Sequence, residues 1–152
     1  MPLKEDIKAA FANVSYPGDN NITHCPYHCR PCQEIADYFK AKTWEGHSVE
    51  ELRDHHTALS LFTPEAFQYF LPTFMLASLD SHDAVNILPD AIRFDFEFNL
   101  DHRDYFLVRV NKFSPEQRKV IIEFLRYMES KGGGSSEDAI EMLNDQPVEA
   151  GN

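Results

Sequence analysis

The chain has 152 residues, of which 43% are hydrophobic, and its 25 acidic and 14 basic side chains give a formal charge of −11. This length and composition suffice for one domain with a sizeable core, which excludes a wholly disordered protein. The shortage of Lys and Arg argues against nucleic acid as a ligand, because phosphate-binding surfaces need clustered cations. Residues 1–6 carry charges where a signal peptide needs an apolar segment, so we expect a cytoplasmic protein.

Hydrophobic residues recur at helical spacing in the first part of the chain. Residues 3–14 have the pattern of an amphipathic helix, which the turn-forming Pro17-Gly18 ends. A second helix is predicted from Pro31, which is suited to a first helical turn, to Phe39. Ser48 and Glu51 have the spacing of a capping box and predict the start of a third helix.

The strongest helical signal covers residues 64–80, which are apolar on nearly all sides. Thr63 precedes Pro64 and is suited to cap this helix. The apolar stretch also contains Glu65 and Gln68, which are costly in lipid, so we expect a buried core helix and no membrane span.

Two later segments have the alternating pattern of β-strands, at 94–98 and 106–110. Ser114 and Gln117 then predict the start of a final helix that continues through Met128. We therefore expect a mainly α fold of about five helices around a central helix at 64–80, with a small two-stranded antiparallel ribbon.

The domain organisation follows from a glycine- and serine-rich segment at 132–136. Residues 1–131 are predicted to form a single helical domain. Residues 132–152 are predicted to be a flexible joint and an acidic tail, because the part after residue 136 contains acidic side chains and no Lys or Arg.

Three cysteines and two histidines fall within nine residues, at 24–32. Cys29 and Cys32 have C-x-x-C spacing, with which two thiolates can bind one metal ion, and Cys25 or His28 adds a third ligand. A fourth ligand is expected from a distant segment. The predicted zinc ligands are Cys25, His28, Cys29, Cys32 and His56.

His56 enters this set because helical spacing places it on the inward face of the third helix, whereas His55 points to solvent. Other interpretations stay open. The thiols and imidazoles can occur without a metal, and Cys29 with Cys32 at a helix start is also typical of a thioredoxin-type redox pair. That fold needs a central sheet, and an iron–sulfur radical enzyme needs a large α/β barrel, which this chain does not predict.

Residues 59–72 read Leu-Ser-Leu-Phe-Thr-Pro-Glu-Ala-Phe-Gln-Tyr-Phe-Leu-Pro. This segment resembles the Leu-Ser-Leu-x-(Ser/Thr)-Pro-Glu-Ala-Phe-x-Tyr-x-Leu-Pro signature of a family of uncharacterised bacterial domains. The resemblance extends over about residues 11–130. It includes Cys29, Cys32, Trp44, Phe113, Ser114 and Gln117. It implies a domain of unknown function and transfers no catalytic residue.

The composition favours a cytoplasmic binding protein without enzymatic activity, acidic enough to dock on and neutralise a basic protein partner. Zinc would then be structural, fastening the loop before the second helix. The alternative is a metal- or thiol-dependent enzyme, either a hydrolase or a thiol oxidoreductase, that uses Cys29, Cys32 and His56. No common nucleotide, hydrolase or zinc-protease motif is present, so no catalytic residue is predicted.

Overall fold

The computed structural model describes residues 2–24, 30–80, 87–97, 103–132 and 135–144. These residues form nine α-helices, which confirms the mainly α prediction. The helices are α1 (Pro2–Phe11), α2 (Arg30–Phe39), α3 (Val49–Asp54), α4 (Ala58–Leu61), α5 (Pro64–Asp80), α6 (Ile87–Glu97), α7 (Arg103–Val110), α8 (Pro115–Ser130) and α9 (Glu137–Asn144).

Helix α5 has the predicted bounds and lies at the centre of the fold. Eleven of its seventeen residues are buried, and α1, α3, α6 and α7 pack against it. At its start, Thr63 Oγ1 accepts a hydrogen bond from the backbone N–H of Ala66 at 3.0 Å, so Thr63 is the predicted cap. Within the described ranges, no helix combines the length and the apolar character that crossing a membrane requires.

Four fully buried phenylalanines join α2 and the segment before α5 to the central helix. The ring of Phe62 stacks on that of Phe70 with centroids 5.4 Å apart. Phe39 of α2 lies 4.7 Å from Phe70 and 6.1 Å from Phe74. Because such ring pairs add about 0.5–1.5 kcal/mol each beyond their burial, this cluster is a main source of stability.

The two predicted capping boxes are present. The backbone N–H of Glu51 donates to Ser48 Oγ at 3.1 Å, and that of Gln117 donates to Ser114 Oγ at 3.1 Å. In both boxes the residue at the third helical position also bonds back to the cap backbone. Both capping boxes depend only on residues three apart in the chain, so they can be recognised from the sequence.

The predicted ribbon at 94–98 and 106–110 is wrong. These segments belong instead to α6 and α7, apart from residue 98, which lies outside the described residues. Leu88, Ile92 and Phe96 are four residues apart, so a helix places all three on one face, where they are fully buried. This burial outweighs the strand preference of the aromatic and β-branched residues.

The predicted acidic tail contains helix α9, which packs against α6 and α8. Ala139 and Leu143 are buried in this contact, whereas Glu137, Asp138 and Glu141 are exposed. The helix thus adds apolar side chains to the core and carboxylates to the surface. The division of the chain into residues 1–131 and 132–152 stays a prediction.

The Phe74→Ala variant should lose about 3–5 kcal/mol of unfolding free energy, because it removes a fully buried ring and leaves a cavity against Phe39 and Phe62. Urea titration followed by circular dichroism measures this loss. Val108 is 50% exposed, so Val108→Ala is the control and should change stability by less than about 0.5 kcal/mol. Equal effects of the two variants would contradict the central position of α5.

Candidate functional site

A cavity of about 370 Å³ lies between α2 and the loop that precedes residue 24. Thr23 and Cys32 both line it, together with Asp19, Asp37 and Lys40. The side chain of Cys32 is buried. Since Thr23 immediately precedes the run 24–32 and Cys32 ends it, this cavity is the place in the fold where the cysteine and histidine chemistry is expected.

The structure locates two of the five predicted zinc ligands, Cys32 and His56. Cys25, His28 and Cys29 lie outside the described residues. Among the residues that are described, no group of three or more His, Cys, Asp and Glu side chains is arranged to hold a metal ion. Zinc ligation by this set stays a prediction.

The predicted orientations of His55 and His56 are reversed. Helix α3 ends at Asp54 and residues 55–57 form a turn, which breaks the helical spacing on which the prediction relied. His56 is exposed, and its Nδ1 lies 2.9 Å from the carbonyl oxygen of Arg53. His55 is half-buried instead, with its ring 4.4 Å from that of Tyr38.

The contact with Arg53 nevertheless leaves His56 chemically suited to bind a metal. A carbonyl oxygen only accepts hydrogen bonds, so Nδ1 carries the proton and Nε2 of the neutral ring keeps its lone pair. Histidines that bind metals are commonly held in this way by a backbone carbonyl. His56 is exposed, whereas Cys32 is buried.

A second histidine cluster, which the sequence analysis missed, involves Tyr38 and His47. The Tyr38 hydroxyl lies 2.8 Å from His47 Nδ1, and His47 Nε2 lies 2.7 Å from the carbonyl oxygen of Thr43. Burial, followed by the negative charge of Glu51, raises the pKa of Tyr38 to about 12, so the hydroxyl stays protonated. Because both ring nitrogens of His47 bond within the chain, this cluster anchors the loop after α2.

A buried charged cluster joins α4, α6 and α7. Arg109 Nη1 lies 3.4 Å from Asp95 Oδ1, and the Ser60 hydroxyl donates to the same oxygen at 3.2 Å. Arg109 also donates to the carbonyl of Leu59, and its guanidinium carbon lies 3.7 Å from the centre of the Phe67 ring. This cation–π contact ties the cluster to α5.

Burial raises the pKa of Asp95, while the positive charge of Arg109 opposes the rise. The sequence analysis did not identify this pair. Helical spacing does not link the two residues, since they lie fourteen positions apart, and they meet only where the fold brings α6 and α7 close to each other.

Arg118 on α8 is the second buried arginine, and it bonds mainly to backbone carbonyls. Its guanidinium donates to the carbonyl of Phe113 at 3.3 Å, of Val110 at 3.1 Å and of Leu143 at 3.5 Å. Val110 and Leu143 lie at the ends of α7 and α9, where carbonyls lack partners within the helix. Arg118 therefore satisfies the ends of two helices with one side chain.

The chain belongs to a family of unknown function (DUF6714), whose model matches residues 2–145. No curated protein and no solved structure matches the chain. Membership in this family confirms the predicted resemblance to a domain of unknown function. It assigns no catalytic residue to this chain. The particular signature at residues 59–72 stays a prediction.

Within the structure, Gln117, which the resemblance includes, and Gln68, which occupies a variable position of the signature, tie three helices together. Gln68 Nε2 donates to Gln117 Oε1 at 3.0 Å and to the carbonyl of Lys112 at 2.7 Å. Gln117 Nε2 donates in turn to the carbonyl of Ala10 at 3.0 Å. These carboxamides connect α1, α5 and α8, so Gln117 has a structural role.

The Arg109→Met variant should lose about 3–5 kcal/mol of unfolding free energy at pH 7, because it leaves the Asp95 carboxylate buried without its cation. Removing Arg109 also removes a charge that lowers the pKa of Asp95, so this pKa rises further. A raised carboxyl pKa favours the folded state at low pH, and this stability is lost as pH rises through the folded pKa. The loss should therefore shrink as pH falls toward the ordinary Asp pKa of about 3.9.

Urea titrations of the variant and the wild-type protein at pH 7 and pH 4 measure the loss of unfolding free energy at each pH. The matched control is Arg30→Met, because Arg30 forms an exposed ion pair with Glu34. Its effect should stay below about 0.5 kcal/mol. A loss for Arg109→Met that is the same at both pH values would contradict the role of the Asp95 charge.

Proposed function

We propose that the protein is a cytoplasmic binding protein that docks on a basic protein partner. The observation that carries the proposal is the burial of Arg109 and Arg118. Among the described residues, these two basic side chains and the acidic Asp95 are removed from the surface of a chain whose formal charge is −11. In the described part of the chain, burial thus takes more basic than acidic groups from the surface.

Such a charge balance acts on association before contact is made. Opposite charges on two proteins accelerate their encounter and orient it, and the effect weakens as salt screens the charges over about 8–10 Å. Like charges repel, so the same balance disfavours acidic partners and nucleic acid. A basic protein is therefore the class of partner that this surface selects.

We also propose that zinc fastens the run 24–32 through Cys25, His28, Cys29 and Cys32, with His56 as a further candidate ligand. The support is that Cys32 is buried and lines the cavity together with Thr23, which precedes the run. Thiolates and imidazoles are the ligands that zinc prefers. In this proposal the metal is structural and holds the loop in place.

A second candidate function, a metal- or thiol-dependent hydrolase or oxidoreductase, is favoured by the same cavity. Its volume of about 370 Å³ falls in the range of small-molecule sites, and a cysteine lies in its lining. The charge balance does not explain this cavity. The metal content and thiol reactivity described below separate the two functions.

A partner isolated from the source cell with the full chain should be a basic protein, and the purified pair should bind directly. We expect the dissociation constant to rise by about tenfold or more between 50 and 500 mM salt, because the attraction is electrostatic. Isothermal titration calorimetry at the two salt concentrations measures this change. Direct partners that are all acidic or neutral, or an affinity independent of salt, would contradict the proposed function.

Protein purified without a metal-affinity tag should contain about one zinc ion per chain, with thiols that react only after chelation. Elemental analysis and a thiol titration measure both quantities. His56→Gln should lower the zinc content if His56 is a ligand, and His55→Gln is the matched control. Three reactive thiols without metal would contradict the zinc proposal, whereas a thiolate that titrates well below about 8.5 would favour the enzyme.

A further inference from the structure

Helices α1 and α8 pack side by side and leave a surface groove of about 310 Å³ between them. Its apolar part consists of Ala9 and Ala10 of α1 and Val120 of α8. Val120 is buried, Ala10 is half-buried and Ala9 is exposed. The groove therefore has an apolar surface that is accessible from outside.

Carboxylates border this apolar part on both helices. Asp6 lies one helical turn before Ala9 and Ala10 on α1, and Glu116 and Glu123 lie about one turn on either side of Val120 on α8. Glu116 and Glu123 are thus separated by about two turns, or roughly 10 Å along the helix. Asp6 and Glu116 are exposed and Glu123 is half-buried.

This combination matches the chemistry of a long cationic side chain. Lysine and arginine have an aliphatic stem that packs on apolar surface and a charged end that seeks a carboxylate. A stem lying across Ala10 and Val120 would place its cation within reach of the bordering carboxylates. A purely apolar side chain would leave the carboxylates without a partner, and an acidic side chain would be repelled by them.

We infer that the groove between α1 and α8 receives a lysine or arginine side chain of the basic partner. This inference rests on the proposed function, since it names the surface that the partner contacts. The acidic residues exposed on α9, such as Glu141, add long-range attraction, whereas the groove supplies a local contact.

Lys119 is the groove residue whose loss of charge should raise the affinity for a cation. It is the one cation among the described residues that line the groove, and it lies between Glu116 and Glu123 on α8. Its ammonium repels an incoming cation and competes for the same carboxylates. Removing its charge should therefore strengthen binding, whereas removing a carboxylate should weaken it.

The test uses the full chain and a fluorescent peptide of eight lysines, with a peptide of eight glutamates as the opposite-charge probe. Fluorescence anisotropy at low salt measures the affinities. Glu116→Gln/Glu123→Gln should weaken octalysine binding about tenfold, and Lys119→Gln should strengthen it about threefold. The matched controls, Glu129→Gln/Glu141→Gln and Lys131→Gln, lie outside the groove lining and should change affinity less than about twofold.

An uncharged variant tests the apolar part. Ala9→Phe should fill the groove and weaken octalysine binding, and the exposed Ala12 offers the control Ala12→Phe. Circular dichroism and thermal unfolding check that each variant folds, which matters most for Glu116 because a carboxylate in the first turn stabilises a helix. Lys119→Gln and Ala9→Phe keep the inference testable if the double variant unfolds.

The outcomes separate this inference from the proposed function. Equal weakening by the groove and control double variants, or weaker binding by Lys119→Gln, would contradict the groove as the contact surface. Neither result would contradict the proposed binding of a basic partner. Octalysine binding no tighter than octaglutamate binding would overturn both. Weakening confined to the groove variants, with strengthening by Lys119→Gln, supports the groove.

Discussion

The need to cover helix α5 determines the arrangement of the other elements. A helix that is apolar on nearly all sides cannot lie at a water-exposed surface without a large hydrophobic cost. Helices α1, α3, α6 and α7 pack directly against it, and α2 reaches it through the ring of Phe39, which contacts Phe70 and Phe74. The fold is in this sense a set of amphipathic helices arranged around one hydrophobic helix.

Covering α5 also brings charged groups into the interior, and this affects the surface. Arg109 and Asp95 meet beside Phe67, where their pairing offsets part of the desolvation cost, and Arg118 satisfies carbonyls at helix ends. Among the described residues, two basic side chains are thereby removed from the surface, against one acidic side chain that is paired in the interior. The packing of the core thus takes more basic than acidic groups from the described surface.

The candidate sites were predictable from the sequence to different degrees. The run at 24–32 is conspicuous in the sequence, and Cys32 does lie in the lining of a cavity. The groove between α1 and α8 has no comparable signal, because its residues come from segments more than a hundred positions apart. The inward position predicted for His56 failed because it required α3 to continue beyond Asp54, and helix ends are the least reliable part of such a prediction.

By itself the sequence determined the helical class, the bounds of α5 and the caps formed by Ser48, Thr63 and Ser114, because capping and periodicity act among residues three or four apart. Only the tertiary structure decided whether residues 94–97 and 106–110 form helices or strands. Alternation there is compatible with a strand, but Phe96 packs against Phe67 and Phe113, and a helix is what brings it there. Contacts between distant residues decide such segments, and no short stretch of sequence encodes them.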